Sequence, residues 1–549
     1  MDGVSTKLAE WGLDMREIGK VRAILTNDEK SKLMASDKPI TLKTRDVRRL
    51  LTNVDKLKID PYIRERMGEP DADPVRCRDW IYQIVDKPRT TDVQKISDDR
   101  RRFSAWMIFD IKKSEVYVKR QTANAMTGAW GAPPGDMLVQ HPTSSTIVTC
   151  LDLHIAQAMI RKMVQKASPV CDTRMLAGTD EFNLLDDIQK DFARKITNQP
   201  FTILQGPAGT GKTTVMAAVM TAAMAADSAV KCLAPTHKAK NNLKLRVPKE
   251  AETATIHSFN KRKASKLPPT LFIIDEGSMV DVELLGEFAM IVLRDCEAWQ
   301  ICIAGDAGQL APVGRGECFR KAVDQLKGTD QLFVLEKCYR TSFNELFEAQ
   351  RCIRNGRIPD PTPGIVDVAV LKSENDVWHA LKEVIQTEGA NVQYIAWQNV
   401  HIQKINDLVQ SRVHGKEECR IFEMNDKVVY IGENKGSMTT AMFGTVVRLG
   451  AMKISVAWED GEERSVSKKD IQLAYCMTVH KFQGSEAPDV CVIALNIPTM
   501  ASVLDRRWIY TAATRAKGRL RIISAPGIFP VVAAPVAKQK LTNLNFKRT

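Results

Sequence analysis

Residues Gly206 to Thr213 read Gly-Pro-Ala-Gly-Thr-Gly-Lys-Thr, a full match to the pattern G-x-x-x-x-G-K-[ST]. This pattern demands a strand, a tight loop and a helix in that order. The apolar Phe201-Thr-Ile-Leu204 before it reads as a buried strand, and the Ala- and Met-rich run from Thr213 to Ala226 reads as a helix. Gly206, Gly209 and Gly211 let backbone N–H groups turn inward around phosphate oxygens, with Pro207, Ala208 and Thr210 between them. The helix N-terminus, with Thr214 in its first turn, adds the positive end of its dipole. Lys212 supplies a point charge for the β/γ-phosphates, and the Thr213 hydroxyl is a ligand for Mg²⁺. The alternative is an accidental Gly-rich turn, which Lys-Thr and the correct flanks disfavour. The implied ligand is a nucleoside triphosphate such as ATP.

The chain has 549 residues, which on the usual size range is three or four domains. Apolar content of 44% and charged content of 26% allow a large core that needs no disulfide or metal staple. The net charge of +13 suits a polyanionic partner, nucleic acid being the commonest, or serves only solubility. The 12 cysteines show no C-x-x-C pair and no metal-ligand spacing. Cys232, Cys302 and Cys491 lie in apolar runs and read as reduced core residues. The first residues lack a secretory pattern, and the longest apolar run, Val215 to Val230, is broken by Thr221, Asp227 and Ser228. A cytoplasmic protein with no membrane partner is expected.

Residues 1–175 form a charged region without a chemical motif, an N-terminal accessory domain of unassigned role. Trp106–Asp110 and Glu115–Lys119 read as short strands, and Thr127 to Pro142 as loop. Asp110, Glu115 and Lys119 have the wrong spacing for a nuclease carboxylate–lysine set. From about residue 180, apolar strands alternate with helical stretches. One set of strands is Thr202–Leu204, Val230–Ala234, Leu271–Ile274, Ile301–Ala304 and Phe333–Leu335; a second is Val392–Ala396, Val490–Leu495 and Leu520–Ile523. The helix after Val282 places Leu285, Phe288, Ala289 and Val292 on one stripe. Continuous apolar strands separated by helices predict two tandem α/β domains with parallel sheets, over 176–340 and 341–549. Short strands and turn residues over about 412–472, with a hairpin signal at Glu459-Asp-Gly-Glu462, predict a small β-barrel inserted in the second. The tail from Ala525, with Pro526, Pro530 and Pro535, reads as irregular.

Two further motifs follow strands. In Ile273-Ile-Asp-Glu-Gly-Ser-Met279, Asp275 would hold Mg²⁺ directly or through water and Glu276 would activate the attacking water. In Ala304-Gly-Asp-Ala-Gly-Gln-Leu310, Gln309 is placed to sense the γ-phosphate or that water. Arg340 and Arg515 are candidate cationic fingers, which stabilise charge on a transferring phosphoryl group.

Ala234-Pro-Thr-His-Lys-Ala-Lys240, Thr255-Ile-His-Ser-Phe259, Asp275-Glu-Gly-Ser-Met279, Gly305-Asp-Ala-Gly-Gln-Leu310, Met477-Thr-Val-His-Lys-Phe-Gln-Gly-Ser-Glu486 and Tyr510-Thr-Ala-Ala-Thr-Arg515 occur in that order. Together they resemble the superfamily 1 helicases of the 5′-to-3′ branch, RecD-like and phage Dda-like, over about residues 180–525. The resemblance implies two RecA-like domains of the P-loop NTPase class, with ATP and Mg²⁺ in the cleft between them. It gives Gln189 the reading of adenine and Glu486 a contact to ribose. It places Thr236, His237, His257 and His480 along a single-stranded DNA track, and makes Gln483 and Gly484 the segment that couples track to cleft. Each histidine has a structural alternative as a satisfied core residue. Single-stranded DNA and single-strand/duplex junctions are the implied partners, with replication or recombination proteins docking on the N-terminal region.

The segment Asn260 to Thr270 departs from the Dda-like pattern, because it is too short for a long strand-separating pin. A stubby hairpin or a loop remains, as do three rival readings: an RNA helicase, a translocase that does not unwind, and a silent scaffold. The intact Lys212, Asp275, Glu276, Gln309, Arg340 and Arg515 weigh against the last.

Overall fold

Parallel strands, each buried on both faces, set the frame of the molecule. In this computed structural model, the residues described are 118–119, 138–141, 144–339, 344–417, 419, 421–434, 438–495, 505–525, 527–533 and 544–547. Asp110, Glu115, the strand predicted at 106–110 and Arg340 lie outside them.

The chain divides into two compact units. The first (residues 1–158, 314–316 and 540–543) contains a three-stranded antiparallel sheet. Its strands are β1 (Val118–Lys119), β2 (Leu138–His141) and β3 (Ser144–Cys150), in the order β1-β3-β2. β2 corrects the loop expected over Thr127 to Pro142: four residues up to His141 pair with β3 despite the neighbouring Gly and Pro.

The second unit holds two parallel sheets. The first sheet is built from β4 (Phe201–Gln205), β5 (Ala229–Ala234), β6 (Glu252–Thr255), β7 (Thr270–Ile274), β8 (Trp299–Gly305) and β9 (Leu332–Val334). They run in the order β6-β5-β7-β8-β4-β9, with every pair parallel. Every residue of β4, β7 and β8 is buried, as a sheet covered by helices on both faces requires. The sequence signal is weakest at β6, where Glu252 and Thr253 leave no apolar run.

Helix α1 (Asp187–Asn198) begins with a reciprocal capping box between Asp186 and Gln189. α2 (Lys212–Ala225) follows the phosphate-binding motif. α3 (His237–Lys244) is capped by Thr236, whose hydroxyl accepts from the Ala239 N–H at 3.1 Å. α4 (Val282–Asp295) is capped by Asp281 and buries the expected stripe of Leu285, Phe288, Ala289 and Val292. Phe288 meets Phe272 of β7 edge-on at 5.2 Å, which fixes α4 against the sheet.

The second sheet contains β10 (Val366–Val370), β11 (Gln393–Ala396), β17 (Cys476–Thr478), β18 (Ala487–Ala494) and β19 (Ala516–Ser524), all parallel, in the order β10-β19-β18-β11-β17. Between β11 and β17 the chain forms an antiparallel sheet. Its strands are β12 (Lys427–Tyr430), β13 (Phe443–Leu449), β14 (Lys453–Trp458), β15 (Glu463–Ser467) and β16 (Ile471–Leu473). Alternate residues Ile454, Val456 and Trp458 of β14 face the core of this sheet, the period-2 pattern of a half-buried strand. Glu459 to Glu462 turn the β14–β15 hairpin, with Gly461 at φ +86°.

The tail departs from expectation. Ile528–Ala533 is a helix, and Ile528, Val531 and Val532 bury against the second sheet's core. Pro530 sits in its first turn, where no intrahelical N–H bond is lost. Leu544 and Phe546 are also buried; Phe546 stacks on Phe201 of β4, and its N–H donates to Gln325 Oε1 at 2.9 Å.

Candidate nucleotide cleft and strand track

Three adjacent strands of the first sheet, β7, β8 and β4, deliver their C-terminal ends to one place. β4 runs into the phosphate loop, where Gly209 (φ +82°) and Gly211 (φ +81°) adopt left-handed backbone that favours glycine. Gly211 also packs against the Gln189 amide, which a Cβ there would displace. Gly211 caps α2 without a side chain, which leaves the first N–H groups of the helix directed at the loop. Lys212 Nζ donates to the Gly206 and Pro207 carbonyls at 2.7 and 2.8 Å.

β7 ends at Asp275, whose N–H donates to the Leu233 carbonyl at 2.9 Å. Its carboxylate accepts from the Glu276 N–H at 2.9 Å. Glu276 holds φ +52°, a costly conformation for a side-chain-bearing residue, which turns it out of the strand line. Burial first, and the neighbouring Glu276 second, push the Asp275 pKa up to about 6, while Lys212 and Arg246 pull the other way. β8 leads to Gln309, which is 4% exposed and whose buried Oε1 has no partner among the described residues.

A cleft of about 470 Å³ collects these groups. Ala208 to Thr214, Asp275, Glu276 and Gln309 line it from the first sheet's side, and Gly484, Glu486 and Arg515 from the second's. Arg515 is 3% exposed, its guanidinium donating to the Thr511 carbonyl and to Thr514 Oγ1, both at 3.0 Å. Glu486 pairs with Lys517 at 3.0 Å.

Gln189 stands beside the loop, fixed by its capping-box bond to the Asp186 N–H at 3.2 Å. Next to it is Tyr339, an aromatic outside every motif although it directly precedes Arg340. Its N–H donates to the Gly209 carbonyl at 2.8 Å, its hydroxyl donates to Asp186, and the residue, which lines the cleft, remains 46% exposed. Asn242 and Arg246 also line the cleft and carry no motif that reveals them.

The donor set fits a magnesium nucleotide. The loop offers an N–H cradle and the Lys212 ammonium, Thr213 and Asp275 offer side-chain oxygens of the type Mg²⁺ takes, and Gln309, which also lines the cleft, has a buried acceptor without a partner among the described residues. No group of three or more His, Cys, Asp or Glu side chains that could hold a metal ion exists among the described residues.

The two halves are joined beside the cleft. Asp306, 1% exposed, accepts from Tyr510 at 2.6 Å, Arg354 at 3.1 Å and the Gly308 N–H at 2.9 Å. The Leu310 N–H donates to Thr511 Oγ1 at 2.9 Å, and Arg507 pairs with Glu317 at 2.7 Å. None of these cross-sheet partners is signalled by a motif.

Of the track residues, His237 and His257 are brought near enough to interact electrostatically. Burial, followed by the charges of Lys240 and His257, lowers the His237 pKa, and its Nδ1 is buried without a partner among the described residues. His480 is exposed on the helix Val479–Phe482, and Gln483 is 7% exposed. The Asn242 amide donates to the Gly484 carbonyl, and Lys238 pairs with Glu459 at the β14–β15 turn. Residues 261–269 form neither a strand nor a hairpin pin; Arg262 binds Asp295 at 2.5 Å and Leu267 bridges to Cys296, which holds the segment against the end of α4. No helix among the described residues is long and apolar enough to cross a membrane.

Comparison with known proteins places both sheets. The family described as AAA domain matches residues 184–376, and the UvrD-like helicase C-terminal domain matches residues 473–523. The RecBCD enzyme subunit RecD of Mycolicibacterium smegmatis is 25% identical over 403 residues, 61% of this chain and 70% of that protein. The ATP-dependent RecD2 DNA helicase of Deinococcus radiodurans is 24% identical over 422 residues, 70% of this chain and 56% of that protein. A crystal structure of Bacteroides Pif1 bound to single-stranded DNA covers 64% of this chain and 95% of its own at 18% identity; its TM-score of 0.43 is too low to place a residue.

Proposed function

We infer that this chain, which belongs to the RecD-like 5′-to-3′ branch of the superfamily 1 helicases, couples ATP hydrolysis to movement along single-stranded DNA and to duplex unwinding. The observation that carries this is the cleft, where the phosphate loop, Asp275, Glu276 and Gln309 face Glu486 and Arg515 of the second sheet.

In this reading the loop N–H groups and Lys212 bind the β/γ-phosphates. Gln189 and Tyr339 receive the adenine, the amide at its edge and the ring against its face. Thr213 and Asp275 would hold Mg²⁺, which supplies charge neutralisation on the phosphates. Glu276 takes the proton of the attacking water, and Gln309 orients that water or the γ-phosphate. Arg515, with Arg340, stabilises the transferring phosphoryl from across the cleft. Closure of residues 176–340 on 341–549 and reopening then move Thr236, His237, His257, His480 and Gln483 along the strand. The sheet at 427–473 would be the small inserted barrel of the family, and residues 1–175 an accessory domain that engages replication or recombination proteins.

Partial duplexes with a single-stranded 5′ or 3′ tail test the reading. ATP-dependent unwinding from the 5′ tail is expected, with Glu276→Gln lowering strand-stimulated turnover by about 10²–10⁴-fold. Unwinding from the 3′ tail alone would overturn the polarity. The flat loop at 261–269 favours a second reading, a motor that moves without splitting duplexes. Strand-stimulated ATPase with no unwinding from either tail would select it.

A further inference from the structure

Three cations line the nucleotide cleft, and the roles above use two of them: Lys212 and Arg515. The third, Arg246, belongs to no motif. It lies two residues beyond α3, placed by a last turn in which its N–H donates to the Leu243 carbonyl at 2.9 Å. Leu243 beneath it is 1% exposed and anchors that turn in the core. The Arg246 side chain is exposed, and no ion pair or side-chain hydrogen bond holds it among the described residues. The contrast with the other two is chemical. Lys212 Nζ is bonded to loop carbonyls, and the Arg515 guanidinium is bonded to carbonyl and hydroxyl oxygens of its own domain.

Its place in the cleft is also defined by the sheet. α3 follows β5, the neighbour of β7, and the Asp275 N–H is bonded to the Leu233 carbonyl of β5, so the part of the wall that carries Arg246 adjoins the strand end that carries Asp275, the proposed Mg²⁺ and γ-phosphate end of the site. A guanidinium there cannot lose its proton, and its planar fork matches a terminal phosphate with two parallel bonds. The nucleotide's charge is greatest at that end, and ADP lacks the group that would occupy it.

We propose that Arg246 is a γ-phosphate ligand of the cleft, making the site prefer a nucleoside triphosphate over the diphosphate. This rests on the ATPase reading above and adds to it a residue from the strand-track side. α3 begins at Thr236 and His237 of that track, and its Asn242 holds the Gly484 loop of the second sheet. Arg246 therefore follows directly on a helix whose start carries the proposed track residues, so in this reading strand occupancy and γ-phosphate binding would be linked through one helix.

The test is equilibrium binding of the Mg²⁺ complexes of a non-hydrolysable imidotriphosphate analogue of ATP and of ADP to the full chain, in wild type, Arg246→Gln, Arg246→Lys and Lys212→Ala. Removing a charged hydrogen bond to the γ-phosphate should weaken the analogue about 10- to 100-fold in Arg246→Gln and leave ADP within about twofold. Arg246→Lys should regain part of that affinity, because it keeps the charge without the fork. Equal weakening of both nucleotides, or no change in either, overturns the proposal. Lys212→Ala separates the two levels. If it loses nucleotide while Arg246→Gln does not, only the Arg246 role fails; if it binds both as wild type does, the cleft reading fails with it.

Discussion

The two walls of the nucleotide cleft are built differently. On the first sheet's side, the loop, Asp275, Glu276 and Gln309 each follow the end of a strand, and β7, β8 and β4 are neighbours. Their convergence follows from the sheet itself. On the second side, Glu486 and Arg515 come from a loop and from the end of the helix Arg506–Ala513. Their distance from the phosphates depends on how one sheet docks on the other. On the proposed reading one wall would bind nucleotide by itself, whereas turnover would require both. Arg515→Ala should therefore lower strand-stimulated ATP turnover by about 10³–10⁵-fold, as removal of an arginine finger does. Equilibrium nucleotide binding should change far less. If binding falls as steeply as turnover, the two walls do not divide the work in this way.

The same contrast decides what could be read from the sequence. A motif at a strand end is contiguous, so Gly206–Thr213, Asp275-Glu276 and Gln309 could be assigned from residue type and spacing, and the structure gathers them in one cleft. The apolar runs that became β4, β7 and β8 are unambiguous because both faces are covered. β6 and β10 escaped because Glu252 and Asp367 interrupt any apolar run. The tail helix escaped because three prolines outweighed Ile528, Val531 and Val532, whose burial comes only with the second sheet in place. Tyr339 was within reach, an aromatic beside a candidate finger. Asn242, Arg246 and the Asp306 partners were not, since Arg354 and Tyr510 approach Asp306 across 48 and 204 positions of chain.

Asp306 is where the docking itself can be tested. It is a buried carboxylate with a guanidinium and a phenol from the opposite side as partners. Burial and the Asp306 charge hold the Tyr510 phenol well above its ordinary pKa, so it stays a donor. Gly308 is needed beside it, because a Cβ there would come within 2.7 Å of Arg354 Nε. Asp306→Ala leaves the buried side of Arg354 uncompensated and should cost about 3–5 kcal/mol of stability by chemical denaturation. In a double-mutant cycle with Tyr510→Phe, a coupling of about 0.5–3 kcal/mol is expected. Strictly additive effects would mean that this pairing does not hold the walls together, and the second wall would need another anchor.

The smallest effect concerns the first wall alone. Asp275 pairs its burial with a carboxylate neighbour, and its pKa rises from 3.8 to about 6. The native, nucleotide-free protein therefore binds this proton more tightly than the unfolded chain does. Between about pH 4 and 6 the native state carries the extra proton, so this group's contribution to stability falls as pH rises through that window. Above it the cost levels at roughly 2–3 kcal/mol. Asp275→Asn removes the titration, and should be more stable than wild type near neutral pH while losing Mg²⁺-dependent nucleotide binding. Denaturation of both proteins from pH 4 to 8 without nucleotide gives the difference directly. A difference that stays flat would place Asp275 in water, and one that grows in the wild type's favour as pH rises would mean that the charges of Lys212 and Arg246 outweigh its burial. With Mg²⁺ and nucleotide added the sign should reverse, because the charge that burial penalises is the one the bound cation requires.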